Sequence, residues 1–526
     1  MRIGFAVLTL VAAGAAWAQA PEQGTRGGEQ APPAAEGAAR PSESEMFGAP
    51  AEQRPSDEAI LGTTPAPATT PEKAPQVSAD EESQRMAPGI RDRFAEDAEA
   101  DDPLDIGGLF YQRLSATNRQ ATSFSNTALT APTLLDAYLD ARPSDRLRAM
   151  VVARLVYDAT IAPPSTGPPL GGAAGGGGSQ SGSTTESLAS LLGGSRDNPS
   201  IALDQLWLRF DVLRTVFVAL GKQHVKWGAA RFWNPTDFLH PVRRDALALF
   251  DVRTGVTMAK LHVPWEATGA NFYAIGLLDN FANADTLGEV GGAFRAEFVV
   301  GNAEIGADAV LQRGDRPRYG VDLSSALGPF DVYGEAAVRA GPYSRWIHSS
   351  LSTDGGLRYE TFESRREGDY SFAATVGANW TFAYTDNDTA TVGAEFFYNP
   401  SGYDDPEVYP WLLFNGEFQP FYTGQRYAGA YLLLAGPGSW DKTSFVLSTL
   451  GNISDRSFVS RLDFTVRVLT HLTVEANVSA FYGTEEGEFR LGIKVPPQTV
   501  VNGIPVPAFE VPAQRLQLGL GLRLDI

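Results

Sequence analysis

The sequence predicts an all-β fold: a transmembrane, antiparallel, up-and-down β-barrel of about 18 strands (16–18), preceded by a disordered N-terminal tail. Three observations predict it. From residue 106 onward, apolar residues recur with a period of two, the spacing at which side chains fall on one face of a strand. The connections between these segments are mostly short and long in turn, as in barrels with tight turns at one rim and loops at the other. After the N-terminus, no run of roughly eighteen apolar residues occurs, so a membrane-spanning helix is not expected.

Taken in order, residues 1–18 read as a secretory signal peptide. Arg2 supplies the positive start, the stretch from Ile3 to Ala16 is apolar, and Ala16-Trp17-Ala18 and Ala18-Gln19-Ala20 both fit small-x-small cleavage. Residues 19–105 are rich in Pro, Ala, Glu, Ser and Gly and hold 19 acidic against 7 basic residues, a net charge of −12. Such a segment buries too little apolar area to offset the entropy of ordering. It is expected to be a disordered periplasmic tail and a candidate docking segment for a periplasmic protein partner. The chain has no cysteine, which excludes disulfides, thiolate metal sites and a lipid anchor on cysteine.

Residues 106–526 carry the barrel pattern. The last strand shows it most clearly: Leu516, Leu518, Leu520, Leu522, Leu524 and Ile526 alternate with Gln517, Gly519, Gly521, Arg523 and Asp525. One face is a continuous aliphatic row, which a lipid-facing strand of about ten residues requires. The same alternation is read at residues 147–157, 371–384 and 472–482. Strands are expected at 106–115, 133–141, 146–158, 201–212, 216–227, 253–263, 270–279, 290–300, 303–312, 318–326, 330–339, 371–384, 390–398, 426–435, 443–450, 458–468, 472–482 and 512–526. An even count puts both termini at one end, expected to be periplasmic, of an integral outer-membrane protein in contact with lipid and with the barrel-insertion machinery. Tyr157, Trp227, Tyr398 and Tyr482 are expected at the outer ends of lipid-facing rows. Trp380, Phe382, Tyr384 and Trp265 are expected near the inner end, since amphipathic rings favour the headgroup levels.

This pattern resembles Gram-negative outer-membrane porins and related polysaccharide-export barrels. One stretch carries a more local resemblance: Gly221-Lys222-Gln223, Trp227-Gly228 and Asn234-Pro235-Thr236-Asp237 are similar to a Gly-Arg-Gln, Trp-Gly, Asn-Pro-x-Asp element of several porin-like barrels, with Lys222 in place of Arg. The chain ends on Ile526, where members of that class usually end on an aromatic residue. The element runs from a strand end into a long loop. Trp227, Gly228, Asn234, Pro235 and Asp237 are therefore the constriction-loop candidates, the loop either folding into the lumen or bracing the wall.

A barrel of about eighteen strands is wide enough for an aqueous channel. Early strands place Arg146, Arg148, Arg154, Arg209, Lys222, His224, Lys226, Lys260 and His262 on the inward face, and later strands place Glu304, Asp308, Asp331, Glu335 and Glu395 there. These are the expected pore-lining residues, arranged either as a basic wall facing an acidic one or as local ion pairs with acids such as Asp136, Asp140 and Asp211. The five histidines fall in no nucleophile element or metal-ligand spacing. No catalytic residue, metal, cofactor or nucleic-acid partner is expected. The leading functional expectation is a porin-like channel for hydrophilic solutes. The alternative is a barrel component of an envelope complex, for polysaccharide export, motility or adhesion, docked through residues 19–105.

Overall fold

The computed structural model describes residues 103–161, 198–240, 242–248, 251, 253–265, 267–278, 291–312, 316–340, 345–351, 357–363, 370–385, 388–414, 418–501, 504–506 and 508–526. The expected signal peptide, all of the expected tail before residue 103, and the glycine-rich stretch 171–178 lie outside the described residues.

Eighteen long strands build one wall. They are β1 (Leu104–Arg119), β2 (Pro132–Ser144), β3 (Leu147–Asp158), β4 (Ser200–Val212), β5 (Val216–Gln223) and β6 (Val256–Trp265). Next come β7 (Ala270–Leu277), β8 (Gly291–Val300), β9 (Ala303–Leu311), β10 (Arg318–Leu327), β11 (Phe330–Ala340) and β12 (Tyr370–Ala383). The last six are β13 (Thr389–Tyr398), β14 (Arg426–Ala435), β15 (Thr443–Asn452), β16 (Ser457–Leu469), β17 (Leu472–Gly483) and β18 (Gln514–Asp525). Each pairs antiparallel with the next, and β18 pairs back onto β1, from Leu109↔Asp525 to Arg119↔Gln514. Closure leaves no free sheet edge among the described strands, so the wall strands satisfy one another's backbone groups where lipid offers no partner. β1 begins and β18 ends at the rim that carries the short turns.

The alternation sorts the side chains as the sequence predicts. Leu518, Leu520 and Leu522 point outward and are exposed, and Leu520 sits between outward Leu114 and Ala476 on its neighbours. Val376, Val392, Leu447, Leu462 and Val478 continue this apolar belt. Outward aromatic residues gather at its two margins. At the short-turn rim Trp265 meets Phe272 at 6.3 Å, Phe330 meets Trp380 at 6.1 Å, and Trp380 meets Phe382 at 4.5 Å. At the loop rim Phe458 stacks on Tyr482 at 5.4 Å, and Phe372 lies 6.5 Å from Tyr398. Trp227 is a correction: it is buried inside the barrel and not in the outer girdle. β5 ends at Gln223 rather than at 227, and the chain has already left the wall when it reaches Trp227.

The loop rim holds the irregular structure. Two hairpin strands, Arg345–Leu351 and Leu357–Glu363, extend a small sheet with Thr499–Val501 and Ile504–Val506. A short helix, Tyr409–Phe414, lies in the connection from β13 to β14. The described parts of the connections 224–255, 399–425 and 484–513 turn inward. They contribute Phe232, Trp233, Leu247, Phe421, Tyr422 and Phe489 to one apolar cluster with wall residues Phe397, Tyr427, Tyr431, Leu450, Val459 and Phe481.

Candidate functional site in the barrel lumen

The inward fold of residues 224–255 begins with a β-bulge in β4. The sequence Leu203-Asp204-Gln205-Leu206 places two polar residues between two outward leucines, and the pairing to β3 slips between Val152 and Ala153. An extra residue on one strand turns a side chain that would have alternated. Asp204 and Trp207 therefore both lie inside. The Asp204 Oδ1 atom then receives both feet of the loop: His224 Nε2 at 2.9 Å as the chain departs and the Gly255 N–H at 3.3 Å as it returns. Arg154 reaches the same carboxylate at 3.2 Å and Asp136 at 2.7 Å.

Two carboxylates on the far wall hold the loop's middle. Glu335 on β11 accepts the Ala230 N–H at 2.6 Å and the Thr236 hydroxyl at 2.8 Å. Glu395 on β13 accepts the N–H groups of Arg231, Phe232 and Trp233 at 2.9, 3.1 and 2.8 Å, and the Tyr333 hydroxyl at 2.9 Å. Consecutive backbone donors converging on one carboxylate form charge-assisted hydrogen bonds, the stronger kind. Gly228 makes the approach possible. Its φ is +92°, and a Cβ there would enter the Glu335 carboxylate, so only glycine satisfies both demands. Trp233 is fully buried, donating from Nε1 to the Phe421 carbonyl at 2.8 Å while its own carbonyl accepts from Thr375.

The loop also braces itself. Asp237 pairs with Arg253 at 2.7 Å and with His240 at 2.9 Å, and Arg253 pairs with Asp251 at 2.6 Å. Burial opposes ionisation of both aspartates, yet His240 and Arg253 hold the Asp237 carboxyl well below the usual range, and Arg253 and Arg244 do the same for Asp251. Asn234 donates to the Trp227 carbonyl at 3.3 Å, and Pro235 is buried beside it. Of the constriction-loop candidates, then, Trp227, Gly228, Asn234, Pro235 and Asp237 all lie within the barrel. The sequence did not single out Asp204; its signal was the doubled polar pair between leucines.

The expected wall residues divide. Arg148, Arg154 and Arg209 lie on the inward face, Arg148 paired with Asp140 at 2.6 Å, and the guanidinium groups of Arg148 and Arg209 flank the Trp207 ring. Lys260 and His262 are inward and buried, with His262 stacked on Tyr273 at 4.6 Å. Glu304, Asp308 and Asp331 share the inward faces of β9 and β11. His224 and Lys226 have left the strand with the loop. Two expectations are overturned. Lys222 pairs with exposed Leu206 and so lies on the outward face, in register with Leu220 rather than Gly221. Arg146 sits in the exposed turn after β2, paired with Asp211 at 2.8 Å.

Charge does not separate into two walls. Arg295 lies among the acidic strands and reaches Glu297, Asp308 and Asp322 at 2.7, 3.2 and 2.7 Å. Arg461 pairs with Asp463 at 2.7 Å. Local pairing is the dominant arrangement on the inward face.

These features define a class: a closed, eighteen-stranded, antiparallel barrel with an apolar outer belt and a loop folded into its lumen. No family profile matches the sequence, and no curated protein does. Among solved structures, a triple mutant of Rhodopseudomonas blastica porin is similar at a TM-score of 0.36 and 11% identity, covering 80% of this chain and 100% of its own. The high-pH structure of Pseudomonas putida OprB is similar at 0.42 and 9%, covering 83% of this chain and 97% of its own. The architecture assigned to this chain rests on its own strand register.

Proposed function

We propose that this protein is an outer-membrane, porin-like channel that passes hydrophilic solutes, acting by passive transport rather than by catalysis. The observation that carries the reading is the loop 224–255, which enters the lumen and is fixed there by Glu335 and Glu395 on the opposite wall. A segment fixed within a barrel narrows it without closing the wall. The charged inward faces of β3, β8, β9 and β16 then act on whatever passes at close range. The apolar belt with its aromatic margins supports the membrane location.

The test is single-channel recording of detergent-purified protein in a planar lipid bilayer, with sugar-driven swelling of liposomes as a second readout. Discrete, stable conductance steps and swelling that falls with sugar size are expected. Folded protein that inserts yet gives neither steps nor swelling would overturn the reading.

A further inference from the structure

The three connections that turn inward, 224–255, 399–425 and 484–513, meet at one carboxyl group. Glu488 lies in the last of them and is 1% exposed. Its Oε2 atom accepts the Tyr427 hydroxyl from β14 at 2.5 Å and the Asn452 side-chain amide from β15 at 2.8 Å. Its Oε1 atom is buried with no hydrogen-bond partner among the described residues. The side chain borders a cavity of about 10 Å³. Around that cavity stand Leu247 of the first connection, Phe421 of the second, Phe489 beside Glu488 itself, and Val459 and Phe481 of the wall. The space is at the lower limit for one water, and a buried water needs two to four polar partners. Glu488 is the one polar side chain in the lining.

A second carboxylate stands beside it. Asp455, in the turn from β15 to β16, accepts the Glu488 N–H at 2.7 Å and the same Asn452 amide nitrogen at 3.0 Å. Tyr409, on the short helix of the second connection, donates to the same oxygen at 2.9 Å. The Ser457 N–H and hydroxyl fill the other oxygen at 2.8 and 2.6 Å. Gly487 permits the approach, because a Cβ there would lie 2.5 Å from that of Ser457. No basic side chain among the described residues pairs with either carboxyl. Arg490, two residues on, donates to the carbonyls of Gly483 and Gln514. The group is not a cation site: its donors already converge on the Asp455 oxygens, and among the described residues no three acidic or histidine side chains come together to hold a metal.

A charge on Glu488 would face Asp455 across one shared amide, with an apolar cavity at its free oxygen. Burial and a like charge both favour the neutral acid. Here they outweigh the Tyr427, Asn452 and Phe421 donors and raise the carboxyl to about 8. We propose that Glu488, set against Asp455, is a proton-operated latch: with its proton it holds the three connections together at the loop rim, and without it they separate. Its effect on current rests on the channel reading; the latch itself does not. The docked form binds the proton more tightly than the released form, so docking is favoured below the ordinary carboxyl value and weakens as pH rises toward about 8.

The experiment is hydrogen exchange of the folded, detergent-purified full chain from pH 5 to pH 9, corrected for the intrinsic rate, with bilayer recordings at the same pH values. Residues 245–248 and 418–425 are the ones to read, since they belong to the other two connections. Both should quicken at least about tenfold between pH 5 and pH 8, and the conductance steps should grow over the same range. In Glu488→Gln both segments should stay slow throughout. Asp455→Asn removes the like charge, so its rise should end at lower pH, a result that stands even if the glutamine variant folds poorly. Glu486→Gln, exposed and two residues away, should follow the native profile. Exchange independent of pH in both segments, a rise confined to residues 484–492, or an unchanged rise in Glu488→Gln overturns the latch. Conductance without pH-dependent exchange would leave the channel and remove the latch, whereas exchange that follows Glu488 without conductance would do the reverse.

Discussion

Replacing Glu395 with alanine should release the inserted loop while leaving the barrel intact. The carboxylate accepts three consecutive backbone N–H groups and one hydroxyl. Each hydrogen bond to a charged group contributes on the order of 1.5–3 kcal/mol. Burying the carboxylate offsets much of that total, by several kcal/mol per ion. Removing one partner from a buried charged set then costs about 3–5 kcal/mol. The lower figure corresponds to a population of undocked loop raised by roughly two powers of ten. Trypsin reads that population directly, because Arg231, Arg243 and Arg244 lie on the loop, and cleavage of a transiently opened segment follows its open fraction when closing is fast. Glu395→Ala should be cut at these arginines about a hundredfold faster, with larger and noisier conductance steps. Glu395→Gln, which keeps one acceptor oxygen, should fall between. A Glu395→Ala protein that folds, yet is cut at the same rate and conducts the same current, would refute the anchoring argument.

Three other outcomes follow from the same geometry. Gly228→Ala must put a Cβ at φ +92° into the Glu335 carboxylate. It should weaken docking by about 1–3 kcal/mol, the cost of a strained backbone position, measured by the same proteolysis. Leu520→Arg, in the middle of the lipid-facing row, should destabilise insertion by about 2–4 kcal/mol, measured by urea titration of folding into vesicles. Glu488, in the connection 484–513, accepts the Tyr427 hydroxyl and the Asn452 side chain at 2.5 and 2.8 Å, and its backbone N–H donates to Asp455. Burial, with Asp455 beside it, pushes the Glu488 carboxyl up to about 8. A carboxyl raised on folding binds its proton more tightly in the folded form, so this contribution is complete below the unfolded value and is lost as pH rises toward about 8. Hydrogen exchange of residues 484–492 should therefore, after correction for the intrinsic rate, quicken across pH 5 to 8 in the native protein. In Glu488→Gln it should not.

The strands were legible because each row of Leu516, Leu518, Leu520 and Leu522 type faces a single solvent, hydrocarbon, along its whole length. Period two is then a local property, and all eighteen strands can be read without knowing their partners. Placing Arg154, Asp308 or Glu335 on the inward face follows from the same parity. Lys222 still lies within β5 and shares the outward face of Leu220, so its inward expectation assigned the wrong face of that strand, whereas Trp227 lies past Gln223, where β5 has already ended. At Asp204 the only sign of the turned register is the doubled polar pair between Leu203 and Leu206, where one extra residue reverses a face.

What the sequence by itself determined is the barrel, its lipid-facing rows and the presence of an unusual loop rich in turn residues. The course of that loop is a matter of tertiary structure. Ala230 and Glu335 are 105 residues apart, and Trp233 and Glu395 are 162 apart. Backbone amides are the same at every position in a sequence, so nothing local marks Arg231, Phe232 and Trp233 as donors awaiting a carboxylate. Only closure of the wall brings β11 and β13 opposite β5 and fixes where a buried charge meets a buried amide.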